Sequence, residues 1–176
     1  MIDADAIGWN LLEKSAPTYS RVVREFGPGI LDKHGNIIRH KLGALVFGHG
    51  PSLARLNRIV HPALLAELER RVMRTRQPAV RVIDAALLFF WGWERKVDWA
   101  ILVAAPRDQK IARLRKTGIS RRQAEQRLRS QMSDSEMRRC AGIVIHNDGT
   151  PAELRAACRL VWQIVTADGK RPTANR

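Results

Sequence analysis

From residue 4 to residue 74 the apolar positions recur every three to four residues, the period of helices that turn one face to a core. Residues 4–13 predict a short helix with Ile7, Leu11 and Leu12 on one side. A second opens at Pro17, since proline suits the first helical position. It carries Tyr19, Val22, Val23 and Phe26 and stops at Gly27-Pro28-Gly29. Lys33-His34-Gly35-Asn36 is turn chemistry within an irregular stretch over residues 30–36. Residues 39–46 predict a third helix, ended by Gly48-His49-Gly50, and residues 51–59 a fourth. His61-Pro62 is expected to break the pattern, because the residue before a proline is pushed out of helical geometry. A long amphipathic helix then runs over residues 62–74 through Leu64, Leu65, Leu68, Val72 and Met73.

Beyond that helix the period changes. Ala79-Val80-Arg81-Val82-Ile83, Trp99-Ala100-Ile101-Leu102-Val103-Ala104 and Ile143-Val144-Ile145 are short apolar runs that predict buried parallel strands. They end in Asp84, in Ala105-Pro106, and in His146-Asn147-Asp148-Gly149. The helices of the second half begin with capping-box patterns: Ser120 with Gln123, Ser133 with Glu136, and Thr150 with Glu153. Strands alternating with helices predict an α/β fold on a parallel sheet. Residues 1–167 are expected to be one domain and residues 168–176 a disordered tail.

Composition narrows the class. At 176 residues, with 45% apolar and 27% charged positions, the chain suits one globular domain. Its longest apolar run, residues 85–93, is broken by Gly92 and falls short of the roughly 20 residues that cross a bilayer. The acidic start lacks the features of a signal peptide. Cys140 and Cys158 fit neither a zinc spacing nor a disulfide framework and read as buried thiols in a reducing cytoplasm. The net charge of +14 implies a polyanionic partner or a basic solvated surface.

Candidate chemistry gathers at strand ends. Asp5, Asp84 and Asn147 would lie on one edge of a parallel sheet, where ligands bind in such folds. Asp5 could be a general base or orient magnesium, and Asp84 could serve the metal or turn the chain. Asp3 or Asp5 can equally cap the first helix, where the dipole favours a carboxylate. Residues 107–139 are strongly basic and predict a helical hairpin around Lys116-Thr117-Gly118-Ile119. Such a hairpin could neutralise phosphates and exclude water, or be a solvated face with pairs such as Glu125 to Arg129. It has no interleaved aromatics to stack bases, which disfavours nucleic acid. Phe89-Phe90-Trp91-Gly92-Trp93 reads as core packing or a stacking wall, and His61 as a phosphate donor or a satisfied core histidine. No G-x-x-x-x-G-K-[ST] string occurs.

In ordered blocks the chain resembles the dephospho-coenzyme A kinases of the P-loop kinase class. Ile2-Asp3-Ala4-Asp5 is similar to that family's acidic strand end. Phe26-Gly27, Ile30-Leu31, Gly35, Arg39, Leu42-Gly43 and Val46-Phe47 follow its next block. Leu56-Asn57-Arg58-Ile59-Val60-His61-Pro62 resembles its most distinctive string, and Asp84-Ala85-Ala86-Leu87-Leu88-Phe89 its acceptor strand and loop. Gln109, Gly118-Ile119-Ser120, Gln131 and Asn147-Asp148-Gly149-Thr150 complete a match over residues 1–165.

The resemblance implies a three-layer parallel sheet with a helical lid at about residues 107–139. It implies magnesium- and ATP-dependent phosphorylation of the ribose 3′-hydroxyl of dephospho-coenzyme A, the last step of coenzyme A synthesis, in the cytoplasm. Asp5 would be the catalytic base; Asp3, Arg39, His61, Asp84 and Leu87 would hold the acceptor. Arg113, Lys116 and Arg122 would grip phosphate from the lid, Asn147 and Gly149 would lie by the ATP adenine, and no protein metal ligand is assigned.

The chain departs from the family at Ala86, where proline is usual, and at Phe90, where glutamate is. Ala112 and Lys116 stand for arginines, and Gly142 for an aspartate. Lysine keeps the charge but loses the fork that holds two phosphate oxygens. The family's first strand and P-loop are expected to be missing, with Met1 falling where a valine codon can be misread as a start. A chain lacking that loop is expected to be inactive. The alternatives are a remnant that binds coenzyme A-like anions without catalysis, and a basic nucleic-acid-binding protein.

Overall fold

The computed structural model describes residues 1–47, 49–74 and 80–167. They divide into two compact units, the first ending at Ala86 and the second beginning at Leu87. The expected tail, residues 168–176, lies outside the described residues.

In the first unit a short strand, β1 (Ile2–Asp3), leads directly into α1 (Ala4–Asn10). Asp3 has extended backbone and accepts the amide of Ala6 at 2.8 Å, so the helix starts there. α2 (Tyr19–Phe26) ends at Gly27, whose φ of 77° is open to glycine with little strain. Asp32 ties the following turn: its Oδ1 accepts the amides of His34 and Asn36, each at 2.8 Å, and its Oδ2 accepts the Asn36 side chain. These bonds hold the Asp32 carboxyl below its ordinary value, the Asn36 amide contributing most. α3 (Arg39–Phe47) follows.

α4 (Gly50–Arg74) runs unbroken through Pro62, against the expected break. Proline removes one amide donor from the ladder, but Ile59, Val60, Leu64 and Leu68 are buried on both sides of it, and α4 packs on α1, α2 and α3. Tertiary burial of those side chains, each worth roughly 1.5–3 kcal/mol, outweighs one missing hydrogen bond. The core joins Leu12, Val22, Ile30, Leu42, Val46, Ile59 and Val60.

β2 (Ile83–Asp84) pairs parallel to β1, with Ile2 opposite Ile83 and Asp3 opposite Asp84. It is shorter than expected: Val80 and Val82, expected within it, lie before it and are each 47% exposed, and Ile83 is only half-buried. Ala79, the expected first residue of that strand, lies outside the described residues. Among the described residues β2 has one strand neighbour, which leaves its other edge without a ladder.

The second unit holds β3 (Ile101–Ala104) and β4 (Ile143–His146), parallel and in register from Ile101–Ile143 to Ala104–His146. Leu102 and Ala104 are buried, whereas Ile101 and Val103 are exposed, so β3 alternates rather than being apolar on both faces. α5 (Arg107–Lys116) and α6 (Arg121–Arg129) form the expected hairpin, reversed at Gly118 with φ 84°. α7 (Asp134–Cys140) and α8 (Pro151–Ala167) complete the unit. The Ser120–Gln123 and Ser133–Glu136 boxes form in full, and Thr150 and Glu153 exchange bonds at 2.6 and 3.3 Å.

α8 turns Leu154, Ala157, Val161 and Val165 inward and buries none of them fully. Cys158 lies off that stripe and is exposed, and Cys140 is half-buried, which corrects the expectation of two buried thiols. No helix among the described residues is long and apolar enough to cross a membrane. The fold is α/β, with parallel strands and many helices.

Candidate active site

Three carboxylates converge in the first unit. The register sets Asp3 opposite Asp84 on adjacent parallel strands, and Asp5 follows in the first turn of α1. Asp3 is the cap of that helix, which leaves Asp5 without the capping role. Burial first, then the charges of Asp3 and Asp84, hold the Asp5 carboxyl above its ordinary value of 3.8. Asp5 remains exposed by surface area, so its carboxylate is reachable while its surroundings disfavour the charge. A carboxylate of this kind is suited to take a proton from an alcohol.

His61 stands on α4 one turn before Leu64, and Leu64 packs against Gly8 of α1. It is half-buried, and desolvation lowers its pKa from 6.5, so it is neutral at neutral pH. A neutral imidazole donates one hydrogen bond and accepts another but brings no cation to a phosphate. Arg39, in the first turn of α3, lies over the Trp9 ring with its guanidinium carbon 4.3 Å from the centroid. Sequence reasoning missed Trp9. The available signal was a tryptophan one helical turn beyond Asp5, a spacing that puts both on one face.

In the second unit the base of the hairpin is tied to the loop after β4. Arg113 Nη2 donates to the Asn147 carbonyl at 2.8 Å and to Gln109 Oε1 at 3.0 Å, and Gln109 Nε2 donates to the Asp148 carbonyl at 3.0 Å. Asn147 is further pinned by its amide, which donates to the Ala104 carbonyl at 2.7 Å. Lys110 binds Asp134 at 2.6 and 2.8 Å and joins α5 to α7. Lys116 and Arg122 are exposed and make no hydrogen bond or ion pair among the described residues. Glu125 pairs with Arg121 at 3.1 Å, not with Arg129 as expected.

A Cβ at Gly149 would land on the Glu153 carboxylate, the group that bonds Thr150 and caps α8, so that side chain would have to move. A cavity of about 470 Å³ beside it is lined by His146, Asp148, Gly149, Glu153, Ala157 and Leu160, among others. Leu87 is half-buried, and its carbonyl accepts the amide of Trp91 at 3.0 Å. Of the aromatic run, Trp93 is buried as core, as is Leu88 just before the run, and Phe90 is 57% exposed.

Among the described residues no group of three or more His, Cys, Asp or Glu side chains is arranged to hold a metal ion. Asp5 and Asp84 are hard oxygen donors whose mutual repulsion a divalent cation would relieve. That donor set fits magnesium, which takes one or two carboxylates and completes its shell with phosphate oxygens and water.

The dephospho-CoA kinase family model matches residues 1–153. A protein of Symbiobacterium thermophilum named dephospho-CoA kinase is 38% identical over 180 residues, covering 99% of this chain and 74% of that protein. One of Aquifex aeolicus with the same name is 34% identical, covering 96% of this chain and 86% of that protein. The crystal structure of TT1252 from Thermus thermophilus superposes with a TM-score of 0.71 at 30% identity, over 93% of this chain and 83% of that one. A Campylobacter jejuni dephospho-CoA kinase shares the fold alone, with a TM-score of 0.65 at 24% identity. With carboxylates clustered at paired strand ends and a family match over most of its length, the chain belongs to the dephospho-CoA kinase family.

Proposed function

We propose that this kinase transfers the γ-phosphoryl group of ATP to the ribose 3′-hydroxyl of dephospho-coenzyme A, with Asp5 as the base. The observation that carries the assignment is the carboxylate cluster at the paired strand ends, in which burial first, then the charges of Asp3 and Asp84, raise the pKa of Asp5. Asp5 accepts the hydroxyl proton as the oxygen attacks the γ-phosphorus. The bond from that phosphorus to the β–γ bridging oxygen breaks, and ADP leaves. Asp84 lies beside Asp5 as the second carboxylate. Asp84 would help hold magnesium, which would supply charge neutralisation on the nucleotide phosphates.

His61, Arg39, Asp3 and Leu87 serve the acceptor in this reading. Arg113, Lys116 and Arg122 belong to a phosphate-neutralising lid at residues 107–139, and among the described residues Lys116 and Arg122 have no partner to give up. Asn147 and Gly149 serve the adenine of ATP, and Arg113 steadies Asn147 through its carbonyl. The fold is assigned to the three-layer P-loop kinase type over residues 1–167, and the protein to the cytoplasm.

The 176 residues contain no G-x-x-x-x-G-K-[ST] string, the loop that cradles the β- and γ-phosphates in this class. These residues alone are therefore expected to bind dephospho-coenzyme A and turn over little, and a binding protein without chemistry is the second reading. Calorimetry with dephospho-coenzyme A tests the first part: absence of binding rejects the acceptor assignment. Phosphoryl transfer at rates usual for kinases, about 1–100 per second, would reject the expected inactivity. Where turnover is measurable, Asp5→Asn should lower it by roughly a hundredfold or more with acceptor binding retained.

A further inference from the structure

Gln109 stands near the start of α5, four residues before Arg113, so the two side chains share one face of the helix. That face meets the loop after β4, within the second unit. The Gln109 amide uses both of its ends there. Its Oε1 accepts Arg113 Nη2 at 3.0 Å, and its Nε2 donates to the Asp148 carbonyl at 3.0 Å.

The residue type follows from that bridge. A side-chain amide carries a donor and an acceptor side by side. A carboxylate of the same shape would satisfy the guanidinium but would set a negative oxygen against the Asp148 carbonyl. An apolar side chain of similar length would serve neither partner.

The bridge completes a ring of bonds around the loop. Arg113 Nη2 also donates to the Asn147 carbonyl at 2.8 Å and lies 3.4 Å from Asn147 Oδ1. Two consecutive carbonyls of the loop, those of Asn147 and Asp148, are therefore held from α5. From the strand side, the Asn147 amide donates to the Ala104 carbonyl at 2.7 Å. Asn147 Oδ1 faces the guanidinium, which turns the amide nitrogen of that side chain toward other partners. A loop whose backbone is fixed beforehand loses less freedom when a ligand binds.

We propose that Gln109 is a positioning residue for the nucleotide. It acts through Arg113 and the Asp148 carbonyl, and keeps the backbone of residues 147–149 in the geometry that receives the base. The inference rests on the assignment of Asn147 and Gly149 to the adenine of ATP, and deepens it.

The test is titration of the full chain with magnesium-ATP, followed by nitrogen–proton NMR at Asn147, Asp148 and Gly149. A hydrogen bond to a peptide carbonyl displaces the nitrogen resonance of the next residue. Gly149 therefore reports the Gln109 bond, and Asp148 the Arg113 bond. Gln109→Glu keeps the side chain's shape and its helix propensity. It should move the Gly149 resonance more than that of Asp148 and weaken ATP about three- to tenfold, the effect of one lost hydrogen bond. Gln109→Met should weaken ATP at least as much; were it to unfold by circular dichroism, Gln109→Glu alone would decide. Wild-type ATP affinity in the folded variants overturns the role and leaves the adenine assignment standing. So does weakened binding with the Gly149 resonance unmoved, because the effect would not pass through the Asp148 carbonyl. If ATP shifts none of the three resonances in the unmodified chain, the adenine assignment falls and the role with it.

Discussion

Replacing Pro62 by alanine would restore an amide donor in the middle of α4, twelve residues into a helix of 25. In a helix interior proline is roughly 3 kcal/mol worse than alanine, through the missing bond to the carbonyl four residues earlier and the clash of its ring. Against that, a proline restricts the unfolded chain, worth about 0.4–1 kcal/mol in its favour. Pro62 is exposed and Leu64 and Leu68 are already buried, so the substitution opens no cavity. The expected gain is about 2 kcal/mol for the first unit, a rise of about 1 M in the urea midpoint at an m-value of about 2 kcal/mol per M. Urea denaturation followed by helical circular dichroism measures it. An unchanged or lowered midpoint would refute the reasoning, and would mean that the buried residues need the backbone geometry the proline imposes.

Other outcomes follow from the same structure. The Asp5 carboxyl, followed by carbon-detected NMR, should titrate above 3.8, and Asp84→Asn should bring its midpoint down by removing one of the charges that raise it. Because the folded value is raised, the Asp5 contribution to stability is fully present below 3.8 and is lost as pH rises through the folded value. Asp5→Asn should therefore raise the melting temperature near neutral pH and leave it unchanged in acid; equal effects at both would contradict the assigned cause. Leu68→Ala, at a side chain with no exposure, should cost about 3–5 kcal/mol in chemical denaturation, and a loss below 1 kcal/mol would show that α4 collapses onto the void. Arg113→Ala should speed hydrogen exchange at Asn147 and Asp148, the backbone it holds directly and through Gln109, and unchanged exchange would remove it as the tie between α5 and that loop.

Much of the candidate site was legible before the fold. Asp5 and Asp84 stand at apolar run ends, and the three capping boxes are local patterns whose bonds join residues three apart. Local geometry needs only a short window of sequence. What was not legible depended on partners distant along the chain. Asp3 and Asp5 were equivalent candidates for the helix cap until the Ala6 amide was found on Asp3. Arg113 read as a free lid cation, yet it is committed to the carbonyl of Asn147, 34 residues away. The aromatic run was divided between core and surface by burial, with Trp93 inside and Phe90 outside.

By itself the sequence determined the α/β class, the positions of most helices and strands, the basic hairpin and the family, because periodicity, caps and ordered motifs are written into neighbouring residues. Tertiary structure alone decided that α4 continues through Pro62, since burial on both sides exceeds the cost of one lost bond. It also decided that β2 is confined to Ile83–Asp84 with Val80 and Val82 exposed before it, that Cys158 faces outward, and that Arg39 rests on Trp9. Each of these is settled by which surfaces meet across the fold, and that information is not carried by any single window of the chain.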